Sequence, residues 1–288
     1  MTATAACGCS PAHLVRGVCE PAGVYDATFL GPTVDVPEPV GEVADDVLDV
    51  DGTTQWDYTH FSLAMSASRR LARWVAWNID GLTLFPGDSI PRADDFRLDP
   101  RLPAEAQTGE AVYAGNDLDR GHLARRSDLL WGTLDEARAG NEDSFFFTNI
   151  APQMNDFNQS GLDGVWGLLE DAVLEQAGLE RRRLTLFGGP VLTDDDVVYR
   201  GVLIPGAFWK VVVYVLDGTL SARCFVLAQE VDPLRLSVTL DDFATYELSL
   251  ADTEALLSLT FGSLHASTVA VPMEAAPRRI ESVAEISW

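Results

Sequence analysis

The sequence predicts an α+β domain whose core is an antiparallel sheet flanked by helices. Three observations carry that expectation. Short apolar and β-branched runs recur from Tyr58 to Ala228. Many are separated only by Gly or Asp turns, which favour antiparallel neighbours. Helical spacing or capping signals occur in few places. The chain has 288 residues, 47% of them hydrophobic, which suffices for one large core, or for one domain plus an appendage.

Residues 1–54 read differently from the rest. Gly, Pro and Val are frequent, acidic residues cluster from Glu38 to Asp51, and no helical period appears. The expected organisation is an extended N-terminal arm over 1–54 and one main domain over 55–288. Three of the four cysteines, Cys7, Cys9 and Cys19, lie in the first twenty residues. With His13 they could bind zinc, but the spacing fits no finger pattern. A disulfide or free thiols in a loose arm suit it better.

From Tyr58 the alternation predicts strands at 58–65 and 73–79, with Arg69 and Arg70 in the turn between them. Residues 90–110 are rich in Pro and Asp and read as loop. Residues 144–148 (SFFFT) read as a short aromatic strand. Val165, Trp166, Leu169, Ala172, Val173 and Gln176 recur at helical spacing, so a helix is expected from about Asp163 to Ala177, with Gly178 as its stop. Arg181 to Arg183 follow, either favouring the negative helix end or simply solvated. Strands are expected again at 184–187, 197–203, 208–216 and 222–228. Ser249 followed by Asp252 signals a capped helix through Leu259.

No apolar run approaches the ~18–20 residues a membrane span needs, so no membrane contact is expected. The first residues lack a basic region followed by an apolar stretch. This predicts a cytoplasmic protein, or one exported by a route that leaves no N-terminal mark. The net charge of −24 argues against a globally basic nucleic-acid binder, so any phosphate binding must be local. Lys210 is the single lysine, and the other basic residues are Arg, which suits bidentate phosphate contact.

The chemistry concentrates in residues 118–170. Asp119-Arg120-Gly121-His122 comes first, then Thr148-Asn149-Ile150-Ala151-Pro152-Gln153, then Phe157-Asn158, then Trp166 and Glu170 in the predicted helix. Phosphodiester hydrolysis must deprotonate a water, stabilise charge growing on phosphorus and neutralise the leaving oxygen. A histidine near its ordinary pKa of ~6.5 can be the base. A hard cation such as Mg²⁺ keeps most of its waters, so one Asn carbonyl oxygen can place it. An adjacent Arg can hold a phosphate oxygen. His122, Asn158 and Arg120 match these three needs.

These motifs resemble the DNA/RNA non-specific endonucleases, the ββα-metal nucleases that include endonuclease G. The resemblance rests on DRGH at 119–122, TNIAPQ at 148–153, FNQ at 157–159 and W-x-x-L-E at 166–170. It extends to RWVAWNIDG at 73–81, FRLDPRLP at 96–103, GGPV at 188–191 and PGAFWK at 205–210, covering roughly 58–262. It implies an α+β fold with a ββα-metal finger as active site, and cleavage of DNA and RNA to 5′-phosphate and 3′-hydroxyl ends. By the same resemblance His122 is the general base and Asn158 the single protein ligand of Mg²⁺, for which Mn²⁺ can substitute. Glu170 holds the metal's waters, Asn149 orients the site and Arg120 contacts phosphate. Ser160 to Gly164 insert a small loop before the helical Glu. Some members place a catalytic Arg ahead of the segment matching FRLDP. Here that position is Asp94, with Arg92 two residues away. The resemblance also brings a homodimer into view beside the DNA and RNA substrates. Because a nuclease without an export signal would endanger its own cell, an inhibitor protein is a further expected partner.

Each residue has a plainer reading. Asn158 precedes the helix and suits an N-cap. Asn149 could cap a strand end, Glu170 could sit on a solvated helix face, and Asp119 reads as structural, fixing Arg120 or the turn. Arg69, Arg70, Arg125 and Arg126 are candidates for a phosphate-binding rim. His60 and His265 read as ordinary strand or loop residues, and Lys210 as buried with a partner or at an edge. The alternatives to catalysis are a nucleic-acid binder on the same fold and a partner-binding module built on the arm.

Overall fold

A computed structural model describes residues 14–15, 18–19, 23–162, 164–179, 182–229, 244–266 and 278–286. Cys7, Cys9, His13, the Cys19 side chain and Arg181 lie outside the described residues, and with them the zinc and disulfide readings. The centre is an eight-stranded sheet. In spatial order its strands are Arg278–Ile280, Ala244–Leu248, Thr219–Ala228, Ala207–Leu216, Arg183–Val191, Ala72–Asp80, Phe61–Met65 and Trp56–Tyr58. Every neighbouring pair is antiparallel.

The central strands are buried on both faces, so their side chains alternate between two apolar cores. On one face Val75, Trp77, Ile79, Phe208 and Val212 meet Phe157, Trp166 and Leu169. On the other Trp74, Ala76, Trp209, Val211 and Val213 meet Phe187 and Phe261. In the described part of residues 1–54, Leu48 and Val50 reach the first core, while the stretch from Tyr25 to Val47 packs on this second face. Tyr25 and Val34 join its core, and the Tyr25 hydroxyl donates to the Val34 carbonyl at 2.5 Å. Glu38–Pro39 pairs with Leu259–Thr260.

The first face carries the elements of interest. A two-stranded hairpin pairs Leu118–His122 with Ile150–Met154. A short helix, Asn155–Asn158, and a 3₁₀ turn, Ser160–Leu162, lead into the helix Val165–Leu179. Trp166 and Leu169 are fully buried and press this helix onto the sheet.

Three expectations need correction. Residues 144–148 are not a strand. A 3₁₀ turn covers Phe147–Asn149, and the strand starts at Ile150. The cause is Asn149, whose side chain takes over backbone groups that a ladder would otherwise satisfy. The run 58–65 is broken by a turn in which His60 has φ 70°. The run 197–203 is a hairpin of Val197–Tyr199 with Val202–Ile204. Periodicity does not predict the helix at Leu134–Asp143. A capping box of Thr133 and Glu136 starts it. It packs so closely that a Cβ on Gly140 would lie 2.7 Å from the Leu129 carbonyl oxygen. Among the described residues, no helix is long and apolar enough to cross a membrane.

Candidate active site

Five elements meet around one open cleft of about 510 Å³. Its walls include Arg92, Arg120, His122, Arg125, Arg126, Ser127, Asn158 and Glu170. The lining thus holds four guanidiniums and one carboxylate, in a chain whose net charge is −24. These guanidiniums offer local donors to a phosphate, with Arg92, Arg120 and Arg125 each balanced by a neighbouring carboxylate.

The hairpin delivers His122. Gly121 must precede it without a side chain, because a Cβ there would lie 1.9 Å from the Gln153 Oε1. The Gln153 chain is fully buried beneath it. Behind the hairpin, Asn149 accepts from the Ala124 amide at 2.9 Å and donates to the Ala124 and Ser144 carbonyls. Asn149 is fully buried and is not among the cleft-lining residues. It is a positioning residue for the segment after His122.

The His122 ring stands edge-on to Phe145 at 5.2 Å and tilted against Phe96 at 5.8 Å. Its Nε2 is sealed from solvent and has no hydrogen-bond partner among the described residues. That leaves Nδ1 as the nitrogen turned to the cleft. Burial, then the charges of Arg92, Arg126 and Arg125, push the imidazole down from 6.5 to about 3. His122 is therefore neutral throughout the physiological range and can accept a proton.

This shift has a consequence for stability. The unfolded chain takes a proton on His122 near pH 6.5, and the folded chain does so only near 3. The contribution is complete above 6.5 and is lost as pH falls from there towards 3. Against a His122→Gln variant, the denaturation midpoint of the wild type should therefore fall more steeply between pH 7 and pH 4. Parallel midpoints over that range would contradict the depressed imidazole.

Asn158 ends the short helix and faces the cleft. Its Nδ2 donates to Asp119 at 2.9 Å, and Gln159 donates to the same carboxylate oxygen at 2.7 Å. Asp119 is thus the holder of Asn158 rather than of Arg120. With its nitrogen committed, the Asn158 amide offers Oδ1 to a ligand. This fits a hard cation that needs one protein oxygen and keeps its waters. Among the described residues, no group of three or more His, Cys, Asp or Glu is placed to hold a metal. A hydrated Mg²⁺ on one amide oxygen requires no such group.

Glu170 reaches the cleft despite the inserted loop. Glycines make the tight path: a Cβ on Gly164 would lie 2.5 Å from the Phe157 carbonyl oxygen, and one on Gly167 2.6 Å from that of Asn158. Glu170 is buried, not on a solvated face. Lys210 donates to its Oε1 at 3.1 Å, and Arg125 lies 3.6 Å from its Oε2. Lys210 belongs to the sheet interior and stacks over Trp166 at 4.1 Å. It is the buried, partnered lysine. Beside this pair sits Asp128, bonded to the Trp77 indole at 3.0 Å. Burial and the Glu170 charge raise it to about 7.

The arginines separate into groups. Arg120 grips Glu110 with two hydrogen bonds while lining the cleft. Arg126 is consumed by Asn141 and the carbonyls of Gly87 and Ile90. Arg92 pairs with Asp94 and reaches the cleft wall. Arg69 and Arg70 do not line the cleft. Arg69 pairs with Asp196, and Arg70 donates to the Gly201 carbonyl. His60 is buried against Trp131 and bonded to the Leu129 carbonyl, and His265 pairs with Glu254, both away from the cleft. Sequence reasoning does not assign Lys210, Asp128 or Ser127 to the site. For Lys210 the available signal is a single lysine in an apolar strand.

The model of the DNA/RNA non-specific endonuclease family matches residues 40–267. An uncharacterized protein, y4fB, of Sinorhizobium fredii is 39% identical over 185 residues, which are 61% of this chain and 26% of that one. Human mitochondrial endonuclease G is 34% identical over 110 residues, which are 38% of this chain and 34% of that one. The chain therefore spans no more than about a third of these curated relatives. In fold it is similar to EndoG from an EndoG/EndoGI complex, with a TM-score of 0.58 at 18% identity, over 82% of this chain and 91% of that one.

Proposed function

The chain belongs to the DNA/RNA non-specific endonuclease family, and on that premise we propose that it hydrolyses phosphodiester bonds of DNA and RNA with His122 as general base and Mg²⁺ on Asn158. The observation that supports this best is the shared cleft: the imidazole and the amide oxygen line one cavity among four arginines.

In this reading a backbone phosphate enters between His122 and Asn158. Its negative charge opposes that of Arg92, Arg125 and Arg126, and so makes the imidazole a stronger base when substrate is present. His122 Nδ1 removes a proton from water, and that oxygen attacks phosphorus. The bond to the 3′-oxygen breaks, and that oxygen leaves as a hydroxyl after taking a proton from a second water, while phosphate stays on the 5′ side. Mg²⁺, when bound, supplies positive charge against the growing charge on phosphorus and the leaving oxygen. Asp119 keeps Asn158 oriented, and Glu170, locked by Lys210 and Arg125, would order the waters of a bound ion. Arg120 holds a phosphate oxygen after releasing part of its grip on Glu110. A protein inhibitor is a fitting partner, since EndoG is inhibited by EndoGI in the complex of similar fold.

Supercoiled plasmid and a structured RNA, each incubated with Mg²⁺ and then with excess EDTA, test the proposal. Both substrates should be cut with the ion and spared without it. Binding without cutting would replace the enzyme with a nucleic-acid binder, and cutting in EDTA would remove the metal step.

A further inference from the structure

Three polar atoms on the cleft-lining residues are buried without a partner among the described residues: His122 Nε2, Arg125 Nη1 and Ser127 Oγ. The first is packed against aromatic rings. The other two come from residues two apart on the segment that follows the hairpin. We propose that Arg125 and Ser127 form a phosphate subsite on the cleft wall beside His122. It takes a backbone phosphate of the nucleic acid, and rests on the nuclease reading only for the identity of that ligand.

The case begins with how Arg125 is held. Its Nη2 donates to Asp171 at 2.7 Å, and its Nε faces Glu170 at 3.6 Å. Two carboxylates on the helix Val165–Leu179 therefore fix the guanidinium plane from one side. The remaining nitrogen, Nη1, is left with no acceptor. A buried donor without an acceptor is costly, and a charged one more so. A phosphate oxygen would satisfy it with a charge-assisted hydrogen bond, and the Ser127 hydroxyl could donate to the same group. Arg92 and Arg126 also act on this region, as their joint depression of His122 with Arg125 shows. The other cleft arginines are less suited. Arg126 is committed to three protein oxygens, Arg120 to Glu110, and Arg92 to Asp94.

The test uses inorganic phosphate as probe, the full chain and EDTA throughout, so that neither metal nor cleavage is needed. Calorimetric titration should give saturable phosphate binding to the wild type. Arg125→Ala and Ser127→Ala should each weaken it about 10-fold or more, the range expected for a hydrogen bond to a charged group. Arg125→Lys should retain part of it. Arg138→Ala, which removes an exposed arginine paired with Asp135, should bind like the wild type. Thermal melts without phosphate check each fold. If Arg125→Ala is unstable, Ser127→Ala, which breaks no ion pair, decides. Phosphate binding unchanged in Ser127→Ala and Arg125→Lys, or absent in the wild type, overturns the subsite. A protein that cuts nothing yet binds phosphate through Arg125 would retain the subsite and lose the nuclease. A protein that cuts normally but binds phosphate independently of these residues would do the reverse.

Discussion

Replacement of His122 by alanine should lower cleavage of plasmid DNA by about 10²–10⁴, the usual contribution of a positioned general base. The fold should survive, because the ring packs edge-on to Phe145 and tilted against Phe96, and its Nε2 makes no hydrogen bond among the described residues. Below about pH 6.5 removing it should also relieve a cost, because the folded protein holds this imidazole neutral against its ordinary tendency to take a proton, whereas at neutral pH the melt should not move. Turnover at saturating Mg²⁺, read beside a thermal melt, checks both halves. An unchanged melt with a thousandfold slower enzyme fits a base. Slow turnover with a collapsed melt would instead make His122 structural.

Asn158→Ala should have an effect of comparable size, with a different signature. The lost oxygen is the one offered to the cation, so the Mg²⁺ concentration for half-maximal rate should rise, and added Mg²⁺ should recover part of the activity. Asp119→Ala removes the holder of the Asn158 amide. Outer partners of this kind typically cost about 10–100-fold in metal affinity or activity. Asp119→Ala should therefore shift the same curve less. Titration of rate against Mg²⁺ separates these from a folding defect, which no concentration of ion would relieve. If Asn158 served only as a helix cap, both variants would lose stability and keep the wild-type metal curve.

Much of this site is legible in the amino-acid sequence because its residues fall in a few contiguous runs. DRGH forms one strand, and TNIAPQ leads into its partner, so the hairpin follows from pairing alone. The helix that carries Glu170 follows from the spacing of Val165, Trp166, Leu169 and Val173. What stays hidden depends on distant pairing. Lys210 meets Glu170 across 40 positions, and Asp119 meets Asn158 across 39. No local pattern encodes either meeting. The helix at Leu134–Asp143 is hard to read for another reason. It buries little more than Ala137, Gly140 and Asn141, so it has no apolar stripe, and only the Thr133–Glu136 box announces it. The aromatic run 144–148 misleads because its phenylalanines fill the core around a tight turn, where their β propensity is overridden by packing.

The most direct measurement is a crystal structure of the His122→Ala protein with a short oligonucleotide and Mn²⁺, the ion located by anomalous scattering. The ion should lie about 2.0–2.2 Å from Asn158 Oδ1, near the oxygen distance of a hard octahedral cation. One phosphorus should sit between it and the position left by the imidazole. An ion bound elsewhere, or a phosphate backbone that bypasses the space between residues 122 and 158, would contradict the common cleft on which the chemistry depends.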